Sequence, residues 1–276
     1  MMFGILEFEF FRNAVIAGLI SSVVCGIIGS YVVVKRLVSM SGGLAHAAFG
    51  GIGLGYFLGI DPVAGAVGFT TGIALLIGVI REKLSQQVET LIGAVWAAGM
   101  ALGILLIALA PGYAPDLFGF LFGNILLIPT GDLIVMGLLA LVICAVVGLW
   151  FNQLMAVTFD EEYARVMNLP VTALMLLLLL LIALTVVVLI RVVGIILVIA
   201  LLTLPGAVAR EFTRSIGAMM AVSIVFAIAC SLGGLFLSYA LDVPSGATII
   251  LLAAAGYGLV LIRVKLRSRK PVRAVG

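Results

Sequence analysis

Apolar runs of about twenty residues recur along the whole chain, separated by short joints of charge, glycine or proline. Set against their breaks, they predict about nine spans, roughly 13–34, 39–59, 62–80, 91–110, 131–151, 171–190, 192–209, 216–240 and 246–262. Each is near the ~20 residues a helix needs to cross a ~30 Å hydrocarbon core. Only helices and closed barrels satisfy their backbone groups in lipid. Barrel strands would alternate over ~10 residues, and a run such as LMLLLLLLIALTVVVLI does not. The pattern therefore predicts an all-α integral membrane protein, a polytopic bundle of about 8–9 transmembrane helices forming a single domain over residues 1–276.

Composition agrees. Hydrophobic residues make up 64% of the chain and charged ones 10%, against about 25% charged in a soluble domain. Too few polar residues exist to cover a soluble exterior. Cys25, Cys144 and Cys230 all lie in apolar runs, where they read as small hydrophobes rather than a disulfide framework. The start, MMFGILEFEFFRNAV, is acidic where a signal peptide would be basic, so cleavage is not expected.

Charge orients the spans. With the C-terminal cluster Arg263, Lys265, Arg267, Arg269, Lys270 and Arg273 in the cytoplasm, alternation also brings Lys35, Arg36, Arg81, Lys83, Arg165, Arg210 and Arg214 inside. Only Arg12 and Arg191 of the 15 basic residues remain outside, as the positive-inside rule expects. The outer acids are Glu7, Glu9, Asp61, Asp116, Asp132 and Asp242. They read either as a field that concentrates cations or as ordinary polar span ends.

Three stretches depart from simple spans. SMSGGLAHAAFGGIGLGYFLG (39–59) carries the single histidine, His46, and has glycines at 51, 55 and 59 that leave one helix face bare for a neighbour. An ionisable group at membrane depth is costly, and imidazole is the commonest metal ligand. His46 is thus either a metal contact or a buried histidine hydrogen-bonded to another helix. PGYAPDLFGFLFGNILLIPTGD is too interrupted for a span and too aromatic for a free loop, so a re-entrant or interfacial piece packed on protein is expected. The polar loop FNQLMAVTFDEEYARVMNLP (151–170) places Asp160, Glu161 and Glu162 where they favour the start of a short helix, with Asn168 and Pro170 as its stop. It reads as a docking surface or as a solvated loop.

Several classes find little support. No GxxxxGK[ST] phosphate loop occurs, so the chain is not expected to hydrolyse ATP itself. No HExxH, paired aspartates or serine–histidine pattern supports an intramembrane protease. Charges inside the spans are few, which disfavours a proton- or sodium-coupled carrier.

Taken together, these stretches resemble the permease family of metal-ion ABC importers for zinc, manganese or iron, over nearly the whole chain. YVVVKRLVSMSGGLAHAAFGGIGLG is similar to the segment leading into the family's G-D-x-L-(S/A)-H-A motif, and SQQVETLIG to its acidic D/E-T-x-(I/L)-G. DLFGFLFGNILLI resembles YLFG-D-(I/L)-L, and TFDEEYARVMNLPV the cytoplasmic coupling segment D-P-E-x-A-x-x-x-G-(L/V)-P. VGIILVIALLTLPGAVAR and DVPSGATIIL match two further motifs in the same order.

The resemblance implies a non-enzymatic permease subunit in the inner (cytoplasmic) membrane, with the C-terminus cytoplasmic. It would move a divalent metal from an extracytoplasmic metal-binding protein to the cytoplasm. The implied assembly is a homodimer in the lipid bilayer, driven by separate ATPase subunits. No cofactor is expected on the chain itself, ATP would stay on the partner, and no nucleic acid is involved. His46, Glu89 and Asp116 are the metal contacts it implies, and Asp160, Glu161, Glu162, Tyr163 and Arg165, within a coupling segment of about 155–170, the ATPase contacts. This chain departs from the family at three positions. The motif aspartate is Gly42, the acid after LFG is Asn124, and a histidine of zinc-type members is Ala97. An ATP-independent carrier or channel, or an importer of chelated metal, are the alternatives.

Overall fold

The structure, a computed structural model, describes residues 8–83, 88–111 and 117–268. The long helices in chain order are α1 (Glu9–Lys35), α2 (Val38–Leu58), α3 (Pro62–Lys83) and α4 (Val88–Leu109). A short α5 (Leu117–Phe122) and a 3-10 turn (Ile125–Leu127) lead into α6 (Thr130–Leu149). Two short helices follow, α7 (Phe151–Phe159) and α8 (Glu161–Val166), then α9 (Val171–Arg210), α10 (Ile216–Leu241) and α11 (Ser245–Ser268). Every regular element among the described residues is helical.

Among the described residues, seven segments are long and apolar enough to cross a membrane: Glu9–Lys35, Pro62–Arg81, Val88–Leu109, Thr130–Leu149, Val171–Ile190, Ile216–Leu241 and Ser245–Leu266. The remaining two sequence-predicted spans are α2 and the second half of α9. At 21 residues, α2 reaches about 31 Å, but its glycines and His46 dilute its hydropathy. It compensates by being enclosed, packing between α3, α4 and α9. Small residues let the backbones meet: Gly50 and Gly53 of α2 lie against Gly99 and Gly103 of α4, and Gly51 against Gly65 of α3. Van der Waals closeness of this kind is the main glue between helices in lipid.

The predicted joint near residue 191 appears as a sharp bend at Gly194 within α9, with φ 74° and ψ 166°. That conformation is open essentially to glycine alone. The chain turns back on itself there. Leu176, near the start of α9, lies against Gly78 in the last part of α3, Gly194 abuts Gly123 while Val193 lies against Gly246, and Leu202 and Gly206 are back against Gly29 of α1. Gly123, itself at φ 71°, ends α5, so a re-entrant piece packs on the bend, and Ile125 N–H donates to Ser245 Oγ at 3.3 Å.

Helix α1 is held by polar pairs as well as by packing. Ser22 Oγ donates to Ser231 Oγ of α10 at 3.1 Å, and Ser30 and Ser223 hydroxyls lie 3.5 Å apart. At its start, Asn13 Nδ2 donates to Ile128 O and Thr130 Oγ1, and Thr130 donates to Glu9. Its other end, Lys35, meets α7 and α8. The charges assigned to opposite faces thus gather at opposite ends of the bundle.

Candidate functional site

Two places gather chemistry, one inside α2 and one at the α8 end of the bundle. His46 is buried, 6% exposed. Its imidazole stacks on the Trp96 indole of α4, with centroids 4.1 Å apart and planes 10° from parallel. Its Nδ1 lies 3.1 Å from Met100 Sδ. Trp96 and Met100 are four residues apart on α4, so they share the helix face turned to α2. A side chain at Gly42, one turn before His46, would meet Ile199 of α9 and the Trp96 ring. Position 42 therefore opens on the same spot.

Of the other expected metal contacts, Glu89 is not gathered with His46. Glu89 is exposed in the first turn of α4, seven residues from Trp96 and so about 10 Å along the axis. Asp116 lies outside the described residues. Asn124 caps the 3-10 turn, its side chain accepting from Leu126 N–H at 3.1 Å. No group of three or more His, Cys, Asp or Glu side chains able to hold a metal occurs among the described residues.

At the other site, the residues expected to contact an ATPase take distinct places. Asp160 caps α8, its Oδ1 accepting from Glu162 N–H at 2.9 Å and Tyr163 N–H at 3.0 Å, which satisfies two of the four orphan donors of a helix start. Asn168 ends the segment in the left-handed conformation, φ 56°, as its residue type allows. Ala164 is buried. Glu162 and Arg165 are exposed. Phe159, Tyr163, Val166 and Met167 present an apolar face outward, Val166 at 78% exposure.

Glu161 turns the opposite way. Its Oε1 accepts from Lys35 Nζ at 2.8 Å and from Arg81 Nη2 at 3.1 Å. Lys35 also donates to Val157 O at 2.8 Å, in the last turn of α7, where a cation satisfies an orphan carbonyl and complements the helix dipole. Burial alone would raise the Glu161 carboxyl, but the hydrogen bond and charge of Lys35, then those of Arg81, outweigh it and hold it below the ordinary glutamate range. One carboxylate thus fastens α8 to the ends of α1 and α3. Beside it a cleft of about 630 Å³ opens, lined by Gly78, Arg81, Glu161, Arg165, Met175 and Leu179 among others.

Sequence reasoning named His46 and Glu161 but not their partners. Trp96 and Met100 stand in GAVWAAGMALG, where only Ala97 drew notice. Lys35 and Arg81 were counted as inner-face charge without a role.

The description of the ABC 3 transport family matches residues 7–264. A membrane protein of Synechocystis sp. is 45% identical over 252 residues, covering 91% of this chain and 90% of the relative. The manganese transport system membrane protein MntC of Listeria monocytogenes is 32% identical over 250 residues, covering 91% and 89%. Among solved structures, PsaBC from Streptococcus pneumoniae in complex with Fab superimposes with a TM-score of 0.85 at 32% identity, covering 94% of this chain and 93% of that one. With the match running through α1 to α11, this chain belongs to the ABC 3 transport family, the family of metal-importer permeases that its motifs resemble.

Proposed function

We propose that the chain is the membrane permease subunit of an ATP-binding-cassette importer for metal ions of the zinc, manganese and iron group. Two copies frame the path, an extracytoplasmic binding protein delivers the ion, and cytoplasmic ATPase subunits supply the energy. The metal is cargo rather than a resident cofactor, and ATP stays on the partner. The family membership and the relatives named for manganese transport support this reading. The basic C-terminal end lies in the cytoplasm. In support, Arg263 sits over the Phe212 ring just beyond α9, at 5.9 Å, on a stretch whose charge is positive.

The observation that carries the reading is the form of α8. An isolated six-residue helix would not hold together in water, yet this one is capped by Asp160, pinned by Glu161, and left with an uncovered apolar face. A face of that kind fits a groove on a soluble partner. When the ATPases close, α8 moves, and the Glu161 pairs carry the displacement to the ends of α1 and α3. Those two helices flank α2 in sequence, so His46 sits on the element between them.

Co-purification of the ATPase subunits with the native chain and with Val166→Asp tests this. A charge on the outer face should abolish co-purification while the helical circular dichroism of the chain is retained. ATPase retained at the native level by the variant would remove α8 as the docking element.

A further inference from the structure

We infer that Met100 Sδ and His46 Nδ1 together form a two-donor site that selects a soft or borderline transition ion, Zn2+ or Cu+, over Mn2+. The inference rests on the metal-import reading above and sharpens it to a class of ion and a selectivity residue.

The geometry comes first. The two donor atoms lie 3.1 Å apart on facing helices, close enough for one ion to hold both after a small movement of either side chain. Their positions are fixed by backbone packing, because Gly99 of α4 is pressed against Ala47 of α2, beside His46 in sequence. Trp96 covers the imidazole face while remaining 38% exposed itself. The thioether and the ring therefore sit behind one part-exposed aromatic side chain.

The donor chemistry comes second. Helices α2 and α9 carry no carboxylate at all. On α3 the only one is Glu82, at the inner end, and on α4 the only one is Glu89, two turns away from Trp96 and exposed. At Gly42, where a side chain would open on the Trp96 ring, the space is filled by the Ile199 methyl end. No element packed around His46 thus brings a carboxylate to this depth. Carboxylate oxygens suit Mn2+, imidazole suits Zn2+ and copper, and thioether sulfur selects the softer ions.

The test is ATP-driven uptake of radioactive Zn2+, Cu+ and Mn2+ into vesicles holding the permease with its ATPase partner, with the extracytoplasmic binding protein supplied on the outer side. Native chain is compared with Met100→Leu, which conserves volume and removes the sulfur, and with Gly42→Asp, which adds a hard donor against a flexible side-chain end. Native uptake should favour Zn2+ or Cu+ over Mn2+, the two soft ions being separated by their own arms. Met100→Leu should lower uptake of the favoured ion roughly tenfold or more, the scale seen when metal-site groups are lost, with little change for Mn2+. Gly42→Asp should shift preference toward Mn2+. X-ray absorption of the metal-loaded native protein should show a sulfur neighbour that is absent in Met100→Leu. Native preference for Mn2+, or unchanged selectivity and no sulfur neighbour, would overturn the inference while leaving metal import intact. No ATP-driven uptake of any of the ions would instead overturn the reading on which it rests.

Discussion

Lys35, the last residue of α1, closes on Glu161, the first residue of α8, at 2.8 Å, and Arg81 of α3 joins the same carboxylate oxygen at 3.1 Å. The three side chains are only part-exposed, so screening by solvent is incomplete. Removing one partner should cost more than the 0–1 kcal/mol of an exposed pair and less than the 3–5 kcal/mol of a buried one. In Glu161→Gln the ATPase activity of the assembled complex should persist while transport per ATP hydrolysed falls. The double exchange Lys35→Glu with Glu161→Lys should recover part of it, Arg81 then facing a cation. Unchanged transport per ATP in Glu161→Gln would show that the fastening does not transmit motion.

The same carboxylate sets a pH dependence. Because its folded pKa is below the ordinary value, its contribution to stability is fully present above the unfolded glutamate value of about 4.3 and is lost as pH falls through the folded one. Thermal unfolding of detergent-solubilised native protein and Glu161→Gln should therefore differ at pH 7. The gap should narrow only below pH ~4. A gap that stayed constant to pH 3 would mean that the carboxylate's charge is not what stabilises the native chain.

The Gly194 bend yields a backbone prediction. Alanine there would have to hold φ 74° with its Cβ driven into the backbone of Gly123 and Phe122. We expect Gly194→Ala to cost about 3 kcal/mol or more, from strain and overlap together, read as a lower melting temperature or failure to accumulate. Gly72→Ala, on α3 with open space around its Cβ, is the control and should be neutral or slightly stabilising. Equal effects of the two substitutions would contradict a backbone-tight bend.

Much of this fold was legible from the apolar pattern alone. The runs at 91–110, 131–151 and 216–240 correspond to Val88–Leu109, Thr130–Leu149 and Ile216–Leu241, because in lipid length and hydropathy dominate helix formation. The break before 192 fell three residues from Gly194, since Arg191 marked an interruption and the glycine made the turn. Asn168 was readable as a stop because its side chain tolerates the left-handed conformation that it adopts. What could not be read was pairing across helices. Spacing along one chain shows which residues share a face, but not that α4 presents Trp96 and Met100 to His46. For the same reason Glu161 looked like its neighbours Asp160 and Glu162, although only it turns toward α1 and α3. Glycine closeness between α2 and α4 decides the first pairing, and the packing of α7 and α8 under α1 decides the second.

The most direct test of the central claim is metal uptake, with the binding protein supplied outside, by reconstituted vesicles in which the permease is present with or without its ATPase subunits. We expect ion accumulation only when both are present and ATP is supplied, with no flux through the permease alone under an imposed proton or sodium gradient. Gradient-driven metal flux through the permease alone, undiminished by omitting the ATPase, would contradict a coupled importer and make this chain a self-sufficient carrier.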